Sequence, residues 1–273
     1  MDDLKIAAVC MNPVPGEVEK NLDRIRSFAM EASTGGANMV CFPEFSVTGY
    51  LLAPSHDLCY GPDASYITER LAHVAKEAGL VLMAGTIELS DREKPYITQV
   101  VAGPEGLIGH YRKTHLSPPE ANIYQAGDKI KVFSHGSTTF GILLCYEAHF
   151  PEISTTMALM GAHLLLIPHA SPKGNPEGKL QSWLRHLKAR AFDNSVFVVA
   201  CNQVGKSGEG LSFPGVAVVL GPDGHVMASY TGEEEHILFV ELEADRLHNI
   251  RSHRMKYFLP KRRPELYGKV SGI

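Results

Sequence analysis

Along this chain, short solid apolar runs alternate with stretches whose apolar residues recur every three or four positions. Lys5 to Asn12 reads as a first strand, broken by Pro13-Val14-Pro15-Gly16. Glu17 to Ser33 then carries Val18, Leu22, Ile25, Phe28, Ala29 and Ala32, the spacing of one helix face, and Gly35-Gly36 stops it. Ala37 to Phe42 is a second buried strand. The alternation continues with a helix over Ala64 to Ala78 and strands over Leu80 to Glu88 and Thr98 to Gly103. Gly103-Pro104-Glu105-Gly106 turns the chain back into Leu107 to Tyr111. Further on come a strand over Ala162 to Pro168, a helix over Leu180 to Asn194 and a strand over Val196 to Cys201. Gly221-Pro222-Asp223-Gly224 joins Val216–Leu220 to Val226–Ser229, and His236 to Leu242 closes the series. Helices alternating with buried strands predict an α/β fold, and the two hairpins make its sheets mixed. The repeated Gly-Pro-x-Gly turn hints at an internal two-fold relation.

One stretch stands apart, Thr139 to Glu152. It begins as a strand apolar enough for burial on both faces, and the apolar run stops at Cys145. Pro151 opens a helix, PEISTTMALMGA, as proline can in a first turn. A cysteine at such a junction is either a buried core thiol or a reactive one, the helix start favouring a thiolate.

Composition changes the picture mainly by exclusion. The 273 residues contain no linker or low-complexity tract, so a single domain over 1–273 is expected. The segment from about 243 to 273 turns polar, with scattered Tyr257, Phe258, Leu259 and Tyr267. It packs on its own domain or across a dimer interface. A net charge of −4 gives no reason to expect nucleic acid. No apolar run approaches the roughly 20 residues of a membrane span. The acidic start MDDLKIAAVC is no targeting segment, and the five cysteines (10, 41, 59, 145, 201) show no short spacing. A cytoplasmic protein with reduced thiols is expected.

Three motifs fail on inspection. Val204-Gly205-Lys206-Ser207 is no phosphate loop, because Ala200 stands where the first glycine belongs. Nor is it a nucleophile elbow, with Glu209 in place of the second glycine. Thirteen histidines include no HExxH or similar pair, so no metal and no organic cofactor is expected. What remains is Glu44 closing MVCFPE, Lys113 in Tyr-Arg-Lys-Thr-His, and Cys145 closing FGILLC. Sites in α/β sheets lie beyond the carboxyl ends of strands, where these three can converge. A thiol needs a base, a carboxylate can take its proton and hand it to a leaving amine, and an ammonium can stabilise an oxyanion.

Phe42-Pro43-Glu44, Tyr111 to Leu116 and Gly141 to Glu147, in that order, resemble the nitrilase superfamily of carbon–nitrogen hydrolases. Asn12, Gly127-Asp128, Phe150-Pro151-Glu152, Arg190 to Asn194 and Phe213-Pro214-Gly215 extend the resemblance over nearly the whole chain. It implies a four-layer α-β-β-α sandwich, with Glu44 as general base, Lys113 as oxyanion stabiliser and Cys145 as nucleophile. Glu120 matches a second glutamate that positions substrate; otherwise it is a solvated loop carboxylate. Glu147 departs from the Asp usual in amidase and carbamoylase branches and resembles true nitrilases, whereas Phe150-Pro151-Glu152 and the loop with Glu120 resemble the amide-cleaving branches. The expectation is a hydrolase of a small linear amide or N-carbamoyl compound, through a Cys145 thioester. A nitrilase and an inactive interaction protein are the rivals. Tyr50, Tyr124, Tyr146, His149, His169 and Lys173 are candidate substrate contacts on loops. The resemblance also implies a homodimer or larger assembly.

Overall fold

The structure, a computed structural model, describes residues 1–51, 54, 66–90, 94–207 and 210–271. Cys59 and the first two residues of the helix expected from Ala64 lie outside them. In chain order the elements are β1 (Leu4–Cys10), α1 (Val18–Thr34), β2 (Met39–Cys41), α2 (Tyr66–Ala78), β3 (Val81–Glu88), β4 (Tyr96–Gly103) and β5 (Gly106–Arg112). Then come α3 (Pro118–Ala121), β6 (Val132–His135), β7 (Thr138–Ile142), α4 (Pro151–Leu159), β8 (Leu164–His169), α5 (Pro176–Asn194) and β9 (Phe197–Asn202). The last group is β10 (Gly205–Lys206), β11 (Ser212–Phe213), β12 (Gly215–Leu220), β13 (Val226–Gly232), β14 (His236–Leu242) and α6 (Ala244–Arg251).

Two mixed six-stranded sheets result, ordered β14-β1-β2-β3-β4-β5 and β13-β12-β9-β8-β7-β6. Each has the same internal sequence of pairings. β1, β2 and β3 are parallel, β4 pairs antiparallel with β3, and β5 antiparallel with β4; β7, β8 and β9 are parallel, β12 pairs antiparallel with β9, and β13 antiparallel with β12. Even the register shifts repeat, at Val101/Ala102 and at Val219/Leu220, each next to a Gly-Pro-x-Gly turn. The two-fold hint in the turns is thus a repeat of whole half-sandwiches.

Period-two alternation explains the layering. From β1, Ile6, Ala8 and Cys10 enter the core shared with the second sheet, while Ala7 and Val9 join the core under α1 and α2. β1 lies against β9 and β12, and α4 and α5 cover the far side of the second sheet. The layers are therefore helix, sheet, sheet, helix. Where the sheets meet, Cys41 and Cys201 bring their sulfurs to 4.0 Å.

Sequence periodicity missed the short or polar pieces. β6 is only VFSH, too short to alternate, and α3 spans four residues. The polar run after Leu242 contains α6, which buries Leu247 on one face. Arg251 at its end donates to the Ser195 and Ala162 carbonyls, so this part of the tail packs on its own chain. Beyond it Met255, Leu266 and Val270 remain exposed.

One close approach sets the position of Glu44. A Cβ added at Gly85 would stand 2.4 Å from the Phe45 amide nitrogen. Gly85→Ala is therefore expected to destabilise the protein by about 1–3 kcal/mol and to lower turnover by displacing the Glu44–Phe45 backbone. Thermal unfolding and steady-state kinetics on the variant check both.

Candidate active site

Each chemical group sits where a strand ends and an irregular turn begins. After β2 the chain runs through Pro43 and Glu44 to Phe45, whose φ of 58° is left-handed. That turn is fixed from several sides. Val47 N–H donates to the Gly85 carbonyl (2.8 Å), Gly85 N–H to Ser46 Oγ (2.9 Å), and Gln203 Nε2 to the Glu44 carbonyl (2.8 Å). Lys113 follows β5 directly, its N–H donating to Ile97 and its carbonyl accepting from Gly127 (2.7 Å). A side chain at Gly127 would meet the Arg112 carbonyl at 2.7 Å, which accounts for glycine there.

The nucleophile segment contains a turn that periodicity does not show. β7 ends at Ile142, and Cys145 opens a 3-10 turn to His149 with φ of 46°. The helix α4 starts at Pro151, as expected, and the 3-10 turn keeps Cys145 too far from it for its N-terminus to favour a thiolate. Burial instead pushes the thiol up, helped by the Glu44 charge, while Lys113 pulls it down. A left-handed non-glycine residue costs energy and is kept only where the surroundings enforce it. Here Glu147 does so. Its Oε2 accepts from Leu144 N–H (2.7 Å), and its Oε1 from Tyr111 Oη (2.9 Å), Thr114 N–H (2.7 Å) and Thr114 Oγ1. One carboxylate thus ties the lysine turn to the nucleophile turn. Arg190 of α5 closes the other end, donating to the Ala148 (2.9 Å) and His149 (3.1 Å) carbonyls.

The structure brings Glu44, Lys113, Glu120 and Cys145 together. Lys113 Nζ lies 2.8 Å from Glu44 Oε1 and 2.8 Å from Glu120 Oε1. Glu120 is no solvated loop carboxylate. It is buried, and its Oε2 accepts from Ser117 N–H (2.7 Å) in a capping box at α3. Glu44 Oε2 accepts from Ala170 N–H (3.1 Å), and the same amide helps stabilise the Cys145 thiolate. Burial raises the Glu44 carboxyl to about 7, against the lowering pull of Lys113. Burial works against the Lys113 charge too, but Glu44, Cys145 and Glu120 outweigh it and hold the ammonium above its ordinary range.

Cys145 and Glu120 open onto a cleft of about 310 Å³, with Glu44 and Lys113 buried behind them. Tyr50, Tyr146, His149 and His169 line it, as expected of substrate contacts. Tyr124 and Lys173 do not. Tyr124 is buried against Phe45 with its hydroxyl on the Leu51 carbonyl (2.8 Å), and Lys173 sits in a left-handed turn, φ 68°. Sequence reasoning missed Lys179, Ser182, Trp183 and His186, which line the cleft from α5. Their spacing of i, i+3, i+4 and i+7 marks one helix face and was there to be read. Trp183 stacks on His169 at 3.9 Å, and His149 meets His186 at 4.5 Å. Burial holds all three histidines below their ordinary pKa, His186 at about 4. Among the described residues no cluster of His, Cys, Asp and Glu could hold a metal ion, and no helix is long and apolar enough to cross a membrane.

Comparison with known proteins bears directly on this geometry. The sequence model of the carbon–nitrogen hydrolase family matches residues 5–252. A nitrilase of Pyrococcus abyssi is 32% identical over 97% of this chain and 99% of its own length. An omega-amidase of Homo sapiens is 30% identical over 85% of this chain and 86% of its own. Among solved structures, an amidase from Nesterenkonia AN1 superposes with a TM-score of 0.83 at 28% identity, covering 98% of this chain and 97% of that one. A glutamate-to-glutamine variant of that amidase carries the acetamide moiety of fluoroacetamide, added covalently to its active-site cysteine. With a cysteine at the mouth of the cleft and such relatives along its whole length, this chain belongs to the carbon–nitrogen hydrolase family and cleaves amide C–N bonds through a cysteine.

Proposed function

We propose that the protein hydrolyses small linear amides or N-carbamoyl compounds with Cys145 as nucleophile, Glu44 as general base, Lys113 as oxyanion stabiliser and Glu120 as positioning carboxylate. The observation that carries this assignment is the Glu44 carboxyl, fully buried and raised to about 7 beside the thiol. A thiol pushed up by burial holds little free thiolate, so its proton must leave as it attacks. A base of pKa near 7 both takes that proton and returns it.

The steps follow from the positions. Glu44 takes the Cys145 proton as sulfur attacks the amide carbon, and a tetrahedral oxyanion forms. Lys113 spends two N–H bonds on Glu44 and Glu120, leaving the third for that oxyanion together with the Tyr146 backbone N–H. Glu44 protonates the leaving nitrogen, ammonia or amine departs, and a Cys145 thioester remains. Glu44 then activates water to release the acid and the free thiol. Both oxygens of Glu147 accept hydrogen bonds that hold two turns together, and this structural role supports amide rather than nitrile chemistry, because it leaves Glu147 no part in protonating a thioimidate nitrogen.

The exposed Leu159 and Met160 at the end of α4 adjoin a groove of about 600 Å³ lined by Tyr267 and Val270 of the tail, which supports a homodimer or larger assembly through this face. Five cysteines without the short spacings of a disulfide framework support a reducing, cytoplasmic setting.

Cys145→Ser should abolish turnover, and Glu44→Gln should lower kcat/KM on a simple amide by roughly 10²–10⁴-fold. Because Glu44 must be ionised to act, kcat/KM of the native enzyme should rise with pH and level off above about 7. A flat profile there would remove Glu44 as the base. Glu147→Gln keeps the shape but turns an NH₂ toward at least one of the four buried donors that the carboxylate accepts, so stability should fall by about 1–3 kcal/mol with activity. Calorimetry and kinetics read the two together. Light scattering should give a multiple of 29.8 kDa, and Leu159→Glu should shift it toward one chain.

A further inference from the structure

The cleft carries a charge that the reaction does not use. Lys179 is the one cation among its described lining residues. Lys113, behind the wall, has its charge committed to Glu44 and Glu120. The three lining histidines stack on each other or on Trp183 and are neutral near pH 7. Glu120, the lining acid, is held by Lys113 and the α3 cap. Among the described residues no carboxylate pairs with Lys179.

Lys179 is nevertheless held in place. Nζ donates to Ser171 Oγ (2.8 Å) and to the Pro172 carbonyl (3.0 Å). Ser171 is itself fixed, its N–H donating to Asn202 Oδ1 (2.8 Å) and its carbonyl accepting from Asn202 Nδ2 (3.1 Å). Asn202 Nδ2 also donates to the Pro214 carbonyl (2.8 Å). An ammonium has three donors, so one N–H of Lys179 remains for a ligand. Its charge is felt at Cys145, while burial works against that charge when the cleft is empty. A half-buried ammonium locked on a braced wall, without a counter-ion among the described residues, suits an anion arriving with the substrate.

We propose that Lys179 recognises a carboxylate on the substrate, so that this cleft selects linear amides or N-carbamoyl compounds bearing an anionic group. The proposal rests on the amide-hydrolase reading above. The carboxylate can be on the acyl side, as in a dicarboxylic acid monoamide, or on the departing amine, as in an N-carbamoyl amino acid. Lys179 is a specificity residue here and takes no proton.

Two matched pairs test the proposal: the monoamide of glutaric acid against its methyl ester, and N-carbamoyl-β-alanine against its methyl ester. For at least one pair the native enzyme should favour the acid in kcat/KM by roughly 10–100-fold, and the favoured pair shows which side carries the charge. Lys179→Met should bring that ratio to about one, acting mainly through KM, and Lys179→Arg should retain much of it. Glutarate should slow iodoacetamide labelling of Cys145 in the native protein and not in Lys179→Met. Equal rates for acid and ester with the native enzyme would overturn the proposal. So would Lys179→Met lowering both alike, which would make Lys179 a support for the thiolate, or glutarate giving the native protein no protection. If no amide or carbamoyl compound turned over while glutarate still protected Cys145, the function assigned above would fail and the anion site would stand.

Discussion

A single buried ammonium between two carboxylates holds this structure's site together. Lys113 Nζ sits 2.8 Å from both Glu44 and Glu120, and all three are removed from water. Removing charges from water is expensive, and losing one partner of such a group typically costs about 3–5 kcal/mol because the remainder is left uncompensated. The set carries two negative charges and one positive when fully ionised. Burial, helped by the Glu120 charge and opposed by Lys113, raises Glu44 to about 7 and makes the same carboxyl useful as base and acid.

The fold exists to bring those charges to one place. Glu44 follows β2, Lys113 follows β5 and Cys145 follows β7, so two come from the first sheet and one from the second. Facing sheets put these ends beside each other, and the hydrogen bonds that brace them cross between halves. Ala170, after β8, donates to Glu44; Gln203, after β9, donates to the Glu44 carbonyl; Glu147, after β7, binds the lysine turn after β5. Two left-handed residues, Phe45 and Cys145, are kept in place by this bracing.

Much of this was legible in the sequence, for definable reasons. Buried strands and long helices announce themselves by periodicity, and the half-sandwich repeat showed in two turns of identical chemistry. Glu44, Lys113 and Cys145 stood out because polar groups seldom end buried apolar strands without a use. The sequence leaves Cys145 open between a core thiol and a reactive one, since its protonation depends on burial and on the charges packed around it rather than on local order in the sequence. Tyr124 and Lys173 looked like site residues because tyrosine and lysine on a loop near the motifs suggest contact. Their side chains and backbone turn elsewhere for reasons that only packing decides. Lys179 escaped notice because a lysine in the first turn of an amphipathic helix looks like ordinary solvent exposure. The polar α6 was invisible because a single buried leucine leaves no periodic trace.

The central claim is that Glu44 is a buried base titrating near neutrality next to Cys145. Isotope-edited NMR of glutamate side-chain carboxyls, with Glu44→Gln identifying the resonance, measures it directly. The account predicts a carboxyl midpoint near 7, with the rate of Cys145 alkylation rising over the same interval. A Glu44 midpoint in the ordinary carboxylate range, or an alkylation rate indifferent to it, would contradict the account.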